Sequence, residues 1–385
     1  MKSRKSWGVL RTRKPPLPTG ARVSCKVFSS PHIFSGKSSA QIMWLVSICL
    51  LPAAMWPVWL YGWPALRVLG LSVFSCAASE TILNLISVRQ DPLYHNRSRN
   101  WVWTVDDGSA ILSGLLLGMN LSPSAAWYIP VSAGVFAMAV CKWSFGGLGA
   151  NWVNPALGGR AFVFFSFSKE MAIWPAPERV LRDGRLDHFD ARTTASPLNI
   201  FKEGLTGEAL QNWGQSMGLS PDDHSWNLFL GFHSGSMGDM ATGLILLGGL
   251  CLLGLRIIRW HIPLAFLGSF ALLTWIFGAR ELFQGEVLFH LSSGGLMLGA
   301  WFMATDYSSS PKMPLAKFIF GIGCGVLSFF SRFYGSYPEG VMLAILFMNI
   351  CCPTLDMVFR PRIFGEGKKG SREGQDEKVL SLPSY

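Results

Sequence analysis

Apolar runs separated by short polar interruptions organise this chain. Residues 43–66, 108–141, 262–279 and 287–305 contain no Asp, Glu, Lys or Arg. A helix that crosses a bilayer needs about 20 mostly apolar residues, since each one advances the chain by only about 1.5 Å. Within the run 108–141, Ser113–Met119 is followed by a short turn segment and another apolar helix. Shorter clean runs at 240–255, 318–331 and 340–355 reach the length by borrowing flanking residues, and 65–88 and 156–167 join them. The pattern predicts about ten transmembrane helices, five on each side of a polar segment at 174–226.

Five crossings reverse the chain, so two similar halves of five helices must lie in the membrane with opposite orientations. Internal similarity supports two halves: Ser113-Gly-Leu-Leu-Leu-Gly-Met119 resembles Ser293-Gly-Gly-Leu-Met-Leu-Gly299. Each is followed by a turn, another apolar run and a Gly-rich interruption, Phe145-Gly-Gly-Leu-Gly149 in the first half and Tyr334-Gly-Ser-Tyr-Pro-Glu-Gly340 in the second. The expected fold is therefore an all-α polytopic integral membrane protein, with about ten transmembrane helices in two inverted five-helix repeats with broken helices. In such folds, binding sites form where helices break near the pseudo-symmetry plane.

Composition agrees. Half of the 385 residues are hydrophobic and only 15% are charged, too few to coat a soluble core of this size. The net charge of +10 does not point to nucleic acid, because the basic residues fall where orientation is set. Lys2, Arg4, Lys5, Arg11, Arg13 and Lys14 precede the first run; Arg89, Arg97, Arg99, Lys142, Arg256, Arg259, Lys312, Lys317 and the tail from Arg360 follow alternate ones. Lys and Arg near span ends favour the cytoplasmic side. This predicts a cytoplasmic tail at 1–41, a first membrane repeat at 42–173, an external segment at 174–226, a second repeat at 227–355 and a cytoplasmic tail at 356–385. The expected location is the cell inner membrane.

Three carboxylates stand out because an unpaired charge in hydrocarbon costs several kcal/mol, on the order of 3 or more. Glu80 lies inside the second run, while Asp306 and Asp356 close later ones. They are candidates for an ion pathway, with Thr81 and Asn84 on the same helical face as Glu80 as further oxygen ligands. Sequence does not choose between sodium and protons. The eight cysteines form no CxxC pair, so no metal centre is expected from this chain alone. No phosphate-binding GxGxxG loop follows a strand, so no nucleotide site is expected here.

Taken together, Ser30-Pro-His32, the stretch Phe145-Gly-Gly-Leu-Gly-Ala-Asn-Trp-Val-Asn-Pro-Ala-Leu-Gly-Gly-Arg-Ala-Phe162, Trp260-His-Ile-Pro263, Leu298-Gly-Ala-Trp-Phe-Met-Ala-Thr-Asp306, Tyr337-Pro-Glu-Gly340 and Arg360-Pro-Arg362 carry a resemblance. The chain resembles the RnfD/NqrB family, membrane flavoprotein subunits of ion-translocating redox complexes. The resemblance implies partner subunits and no complete catalytic centre on this chain. It also implies FMN joined covalently through its phosphate to a hydroxyl in a motif of the form Asp-x-x-Ser/Thr-Gly-Ala-Thr. The corresponding stretch is Asp190-Ala-Arg-Thr-Thr-Ala-Ser196, which puts Ser196 at the acceptor position, with Thr194 where glycine is usual. A flavin transferase is then expected in maturation. A second, non-covalent flavin such as riboflavin is expected near Asn151 and Asn154. Two readings of another class remain: a flavin-free inverted-repeat transporter or channel, and a structural component of the complex.

Overall fold

The computed structural model describes residues 38–90, 107–147, 149–175, 198, 229–231, 233, 235–279, 282–335 and 340–360. Among them every regular element is a helix. In chain order these are α1 (Ser39–Tyr61), α2 (Trp63–Gln90), α3 (Ser109–Met119), α4 (Tyr128–Phe136), α5 (Pro155–Ser166) and the single turn α6 (Ser168–Met171). Then follow α7 (Thr242–Gly254), α8 (His261–Phe277), α9 (Val287–Ser292), α10 (Leu296–Leu298), α11 (Pro314–Phe333) and α12 (Val341–Val358). Two π segments extend helices: Ala137–Lys142 continues α4, and Gly299–Met303 continues α10.

Among the described residues, five helices are long and apolar enough to cross a membrane: Ser39–Tyr61, Trp63–Ile86, Tyr128–Phe145, Pro314–Phe333 and Val341–Val358. Three shorter apolar ones are Ser109–Met119, Asp239–Gly254 and His261–Phe277. About ten spans are expected from the hydropathy pattern, and the difference has identifiable causes. The run 108–141 is divided by a turn at 120–127, which leaves α3 only 11 residues. The run 287–305 is interrupted at Ser293-Gly294-Gly295, where both glycines take positive φ (76° and 65°), a region closed to most side chains. The boundary between the first two helices falls at Gly62, also left-handed, rather than near residue 66.

The helices are apolar on both faces, as lipid-facing helices must be. On α1, Trp44, Ile48, Leu51, Met55 and Trp59 recur every three or four residues as an exposed stripe, whereas Ser47, Leu50, Ala53, Ala54 and Pro57 face inward. Small residues let the inward faces meet closely. A Cβ on Gly114 of α3 would stand 2.6 Å from the backbone of Val73 on α2, and one on Gly134 of α4 would overlap the Ser75 hydroxyl, also on α2. In the second half, a Cβ on Gly325 of α11 would overlap the Ser269 hydroxyl on α8. Gly248 of α7 packs on the backbone carbonyl of Cys49 on α1.

The Gly-rich stretch after α4 is a connection rather than a break within a helix. Gly146, Gly147 and Gly149 all have positive φ and turn the chain toward α5. Of its counterpart after α11, residues 336–339 lie outside the described residues.

Candidate functional site

The start of α5 is built by Asn154. Its side-chain oxygen accepts the Ala156 N–H at 3.0 Å, and Pro155 occupies the first helical position, where its missing N–H has no consequence. The same amide donates to the Met303 carbonyl at 3.2 Å, in the last turn of the second π segment. The Asn349 amide of α12, oriented so that both its atoms are satisfied, accepts from the Asn154 N–H at 3.3 Å and donates to the Ser309 carbonyl at 3.1 Å. Asn154 therefore joins α5 to the second half of the molecule. Nearby, Arg160 donates to Asn120 at 2.6 Å, and Asn120 in turn donates to the Leu116 carbonyl.

Asn151, three residues earlier, is buried, and its side-chain oxygen has no hydrogen-bond donor among the described residues. It lines a cavity of ≈ 60 Å³ together with Asn154, Asp306, Ser109, Lys142 and Trp301. The indole N–H of Trp301 also lacks an acceptor among the described residues. The volume holds about four waters. Asp306 accepts the hydroxyls of Ser308 and Ser309 at 2.8 and 3.0 Å. Tyr307, on the same wall, donates its hydroxyl to the Ile257 carbonyl. Burial pushes the Tyr307 hydroxyl above its ordinary range, with Arg259 acting in the opposite sense, so it stays a donor at neutral pH.

Behind one wall of the cavity lies an ion pair. Lys142 donates to Glu80 at 2.6 Å and to the Ser109 hydroxyl at 2.6 Å, and Ser109 donates to Asp107 at 2.6 Å. The side chains of Lys142 and Glu80 are 4% and 9% exposed, so the pair is shielded from solvent and lipid alike. Lys142 is the last of the six residues of the π segment and is buried there. The second oxygen of Glu80 has no hydrogen-bond donor among the described residues.

Several expectations are corrected here. Lys142 is not an interfacial marker of orientation; it is buried against Glu80. Of the oxygen set Glu80, Thr81 and Asn84, Thr81 donates its hydroxyl to the Ala77 carbonyl and Glu80 accepts from Lys142. Asp306, Asn151 and Asn154 do meet at one cavity, with Glu80 just beyond its wall. Asp356 does not join them. It lies in the last turn of α12 and accepts the Lys312 backbone N–H at 2.9 Å. Ser196 lies outside the described residues. Leu198, two positions on, is buried beside Gly294.

Sequence reading also missed Arg332. Buried on α11, it donates to the carbonyls of His290, Ser293 and Gly294 and lies 4.9 Å from the Phe270 ring. These carbonyls are left without helical partners by the interruption after α9, and the guanidinium takes their place. A basic residue near the end of an apolar helix reads as an interfacial charge, so the sequence carried no signal of this role. Among the described residues no group of three or more His, Cys, Asp or Glu is placed to hold a metal ion.

The polar complement of the cavity suits a heteroaromatic ring, with one acceptor on Asn151 and one donor on Trp301 unpaired among the described residues. Its space does not: ≈ 60 Å³ is too small for a tricyclic flavin.

Against known proteins, the model of the NQR2, RnfD, RnfE family matches residues 26–365. Relatives include the D subunit of a proton-translocating ferredoxin:NAD(+) oxidoreductase complex from Clostridium ljungdahlii, 37% identical over 88% of this chain and 96% of that one. The D subunit of the Na(+)-translocating ferredoxin:NAD(+) oxidoreductase complex from Acetobacterium woodii is 37% identical over 89% and 96%. The D subunit of an ion-translocating oxidoreductase complex from Stutzerimonas stutzeri is 38% identical over 86% and 93%.

Proposed function

The chain belongs to the NQR2, RnfD, RnfE family, and from that premise we propose that it is the D component of a membrane complex coupling electron transfer to ion movement. The electron transfer is of the ferredoxin/NAD⁺ or NADH/quinone type, and the ion is sodium or a proton. One observation carries this reading: similarity to the D components of two ferredoxin:NAD(+) oxidoreductases across nearly the whole of all three chains. The two relatives are named for different ions, so likeness to them leaves sodium and protons equally open.

FMN is held, in this reading, by a phosphoester to Ser196, installed by a flavin transferase. When bound, it supplies the redox chemistry, and the protein supplies position. A second, non-covalent flavin belongs to a widened form of the cavity, with Asn151 as the acceptor facing the ring. Asn154 holds α5 in place rather than touching it, since its amide is already used.

Two inverted repeats of five helices, with both termini cytoplasmic and 174–226 external, complete the reading. Matched packing supports it: Ser75 against Gly134 between α2 and α4 has its parallel in Ser269 against Gly325 between α8 and α11. Left-handed Gly108 opens α3 as left-handed Gly295 opens α10. A flavin-free transporter with the same helices is the competing reading, favoured by a cavity sized for waters and bare ions.

The deciding experiment is denaturing electrophoresis of the purified complex under ultraviolet light. Flavin emission at the mass of this chain, abolished by Ser196→Ala, is the expected outcome. A bare 174–226 peptide recovered from an active complex overturns the attachment and leaves the transporter.

A further inference from the structure

Lys142 and Ser109 are the two residues shared by the cavity lining and the ion pair, so together they form the wall between the cavity and Glu80. Two polar atoms flank that wall with no hydrogen-bond partner among the described residues, Asn151 Oδ1 on the cavity side and Glu80 Oε2 on the far side. A buried carboxylate with one oxygen unmet keeps lone pairs that can accept a further hydrogen bond, a cation or a proton. The corresponding place in the second half shows what a permanently fixed cation looks like. Five residues beyond Ser75 and Ser269 stand Glu80 and Thr274; eight beyond Gly134 stands Lys142, and seven beyond Gly325 stands Arg332. The π segment accounts for the one extra residue. Arg332 is pinned by three backbone carbonyls, which cannot leave. Among the described residues, Lys142 is held by a carboxylate and a hydroxyl, on a flexible stem beside the cavity.

We propose that Lys142 is a built-in exchangeable cation: it occupies Glu80 until a monovalent cation from the cavity takes its place, and its return expels that cation. When displaced, the ammonium moves into the cavity, whose lining includes the Asp306 carboxylate. Glu80 thus stays neutralised throughout, by Lys142 or by the moving ion, and the membrane interior never holds a bare carboxylate. The assignment makes Lys142 a positioning residue of ion movement, and it rests on the reading that the complex translocates ions.

The test uses the whole complex in liposomes, with electron transfer from reduced ferredoxin to NAD⁺ followed alongside ion uptake. Radioactive sodium reports one ion, and a pH-sensitive dye in sodium-free buffer reports the other. In Lys142→Met, electron transfer is expected to stay within about two-fold while ions moved per electron fall at least ten-fold; Lys142→Arg recovers part of that ratio by restoring the charge. The doubly neutral Glu80→Gln/Lys142→Met is expected to assemble, transfer electrons and move no ions. An unchanged ion-to-electron ratio in Lys142→Met overturns the proposal, as does an equal loss of both activities. So does a double variant that fails to assemble, because the pair would then be holding the fold. If the wild-type complex itself moves no ion of either kind, the underlying functional reading fails instead.

Discussion

Single residues decide how charge is tolerated within this membrane domain. Arg332 satisfies three carbonyls that a helix interruption exposes, so its loss strands acceptors in a place without water. Arg332→Met should lower stability by about 2–3 kcal/mol, as expected for hydrogen bonds to a charged group, and denaturant unfolding of the solubilised chain measures it. Arg332→Lys should recover only part, because an ammonium cannot span three carbonyls as a planar fork does. Unfolding midpoints equal to wild type in both variants would show that the carbonyls find other donors. For single residues, the sequence was legible as to identity and weak as to partnership. Glu80 was recognisable as a carboxylate that needs a partner, yet Lys142, 62 positions away, looked like a charge at a membrane surface.

Among the elements, the interruptions matter more than the helices. Gly295 opens α10 with φ of 65°, and a Cβ there would meet the Asp239 carboxylate at 2.8 Å. Gly295→Ala should cost about 1–2 kcal/mol from left-handed strain alone, with the close carboxylate adding to it. An unchanged thermal midpoint would show that α10 can begin without that conformation. Asn154→Ala should cost about 1 kcal/mol for the lost cap and more for the lost tether to Met303. Asn154→Asp separates the two contributions, since it keeps the acceptor for Ala156 and removes the donor to Met303. The positions of α5, α7, α8, α11 and α12 were legible within a few residues, because uninterrupted apolar runs leave little choice. The interruption at 293–295 was not, because glycine in a membrane run also reads as a packing residue.

Across the whole molecule, the first and second halves meet where α1 crosses α7. Gly248 rests on the Cys49 carbonyl there, and Cys251 follows three residues later on the same helix. A chain cut by an engineered protease site within 174–226 should therefore stay joined through the Cys49 and Cys251 thiols after mild oxidation. Its two fragments should separate on a gel only with reductant, and Cys251→Ser should abolish the link. Fragments that part without reductant would contradict this packing of the halves.

Helical character, a place in the membrane and family membership were all readable from the order of amino acids alone. Those properties follow from uninterrupted apolar length and from contiguous motifs, both of which are local. It took the folded chain to reveal that Lys142 neutralises Glu80, that Arg332 closes an interrupted helix, and that Asn151, Asn154 and Asp306 border one cavity. Each of those facts joins residues many positions apart, and in a membrane such pairings are set by which helix faces touch, a choice that apolar runs leave open.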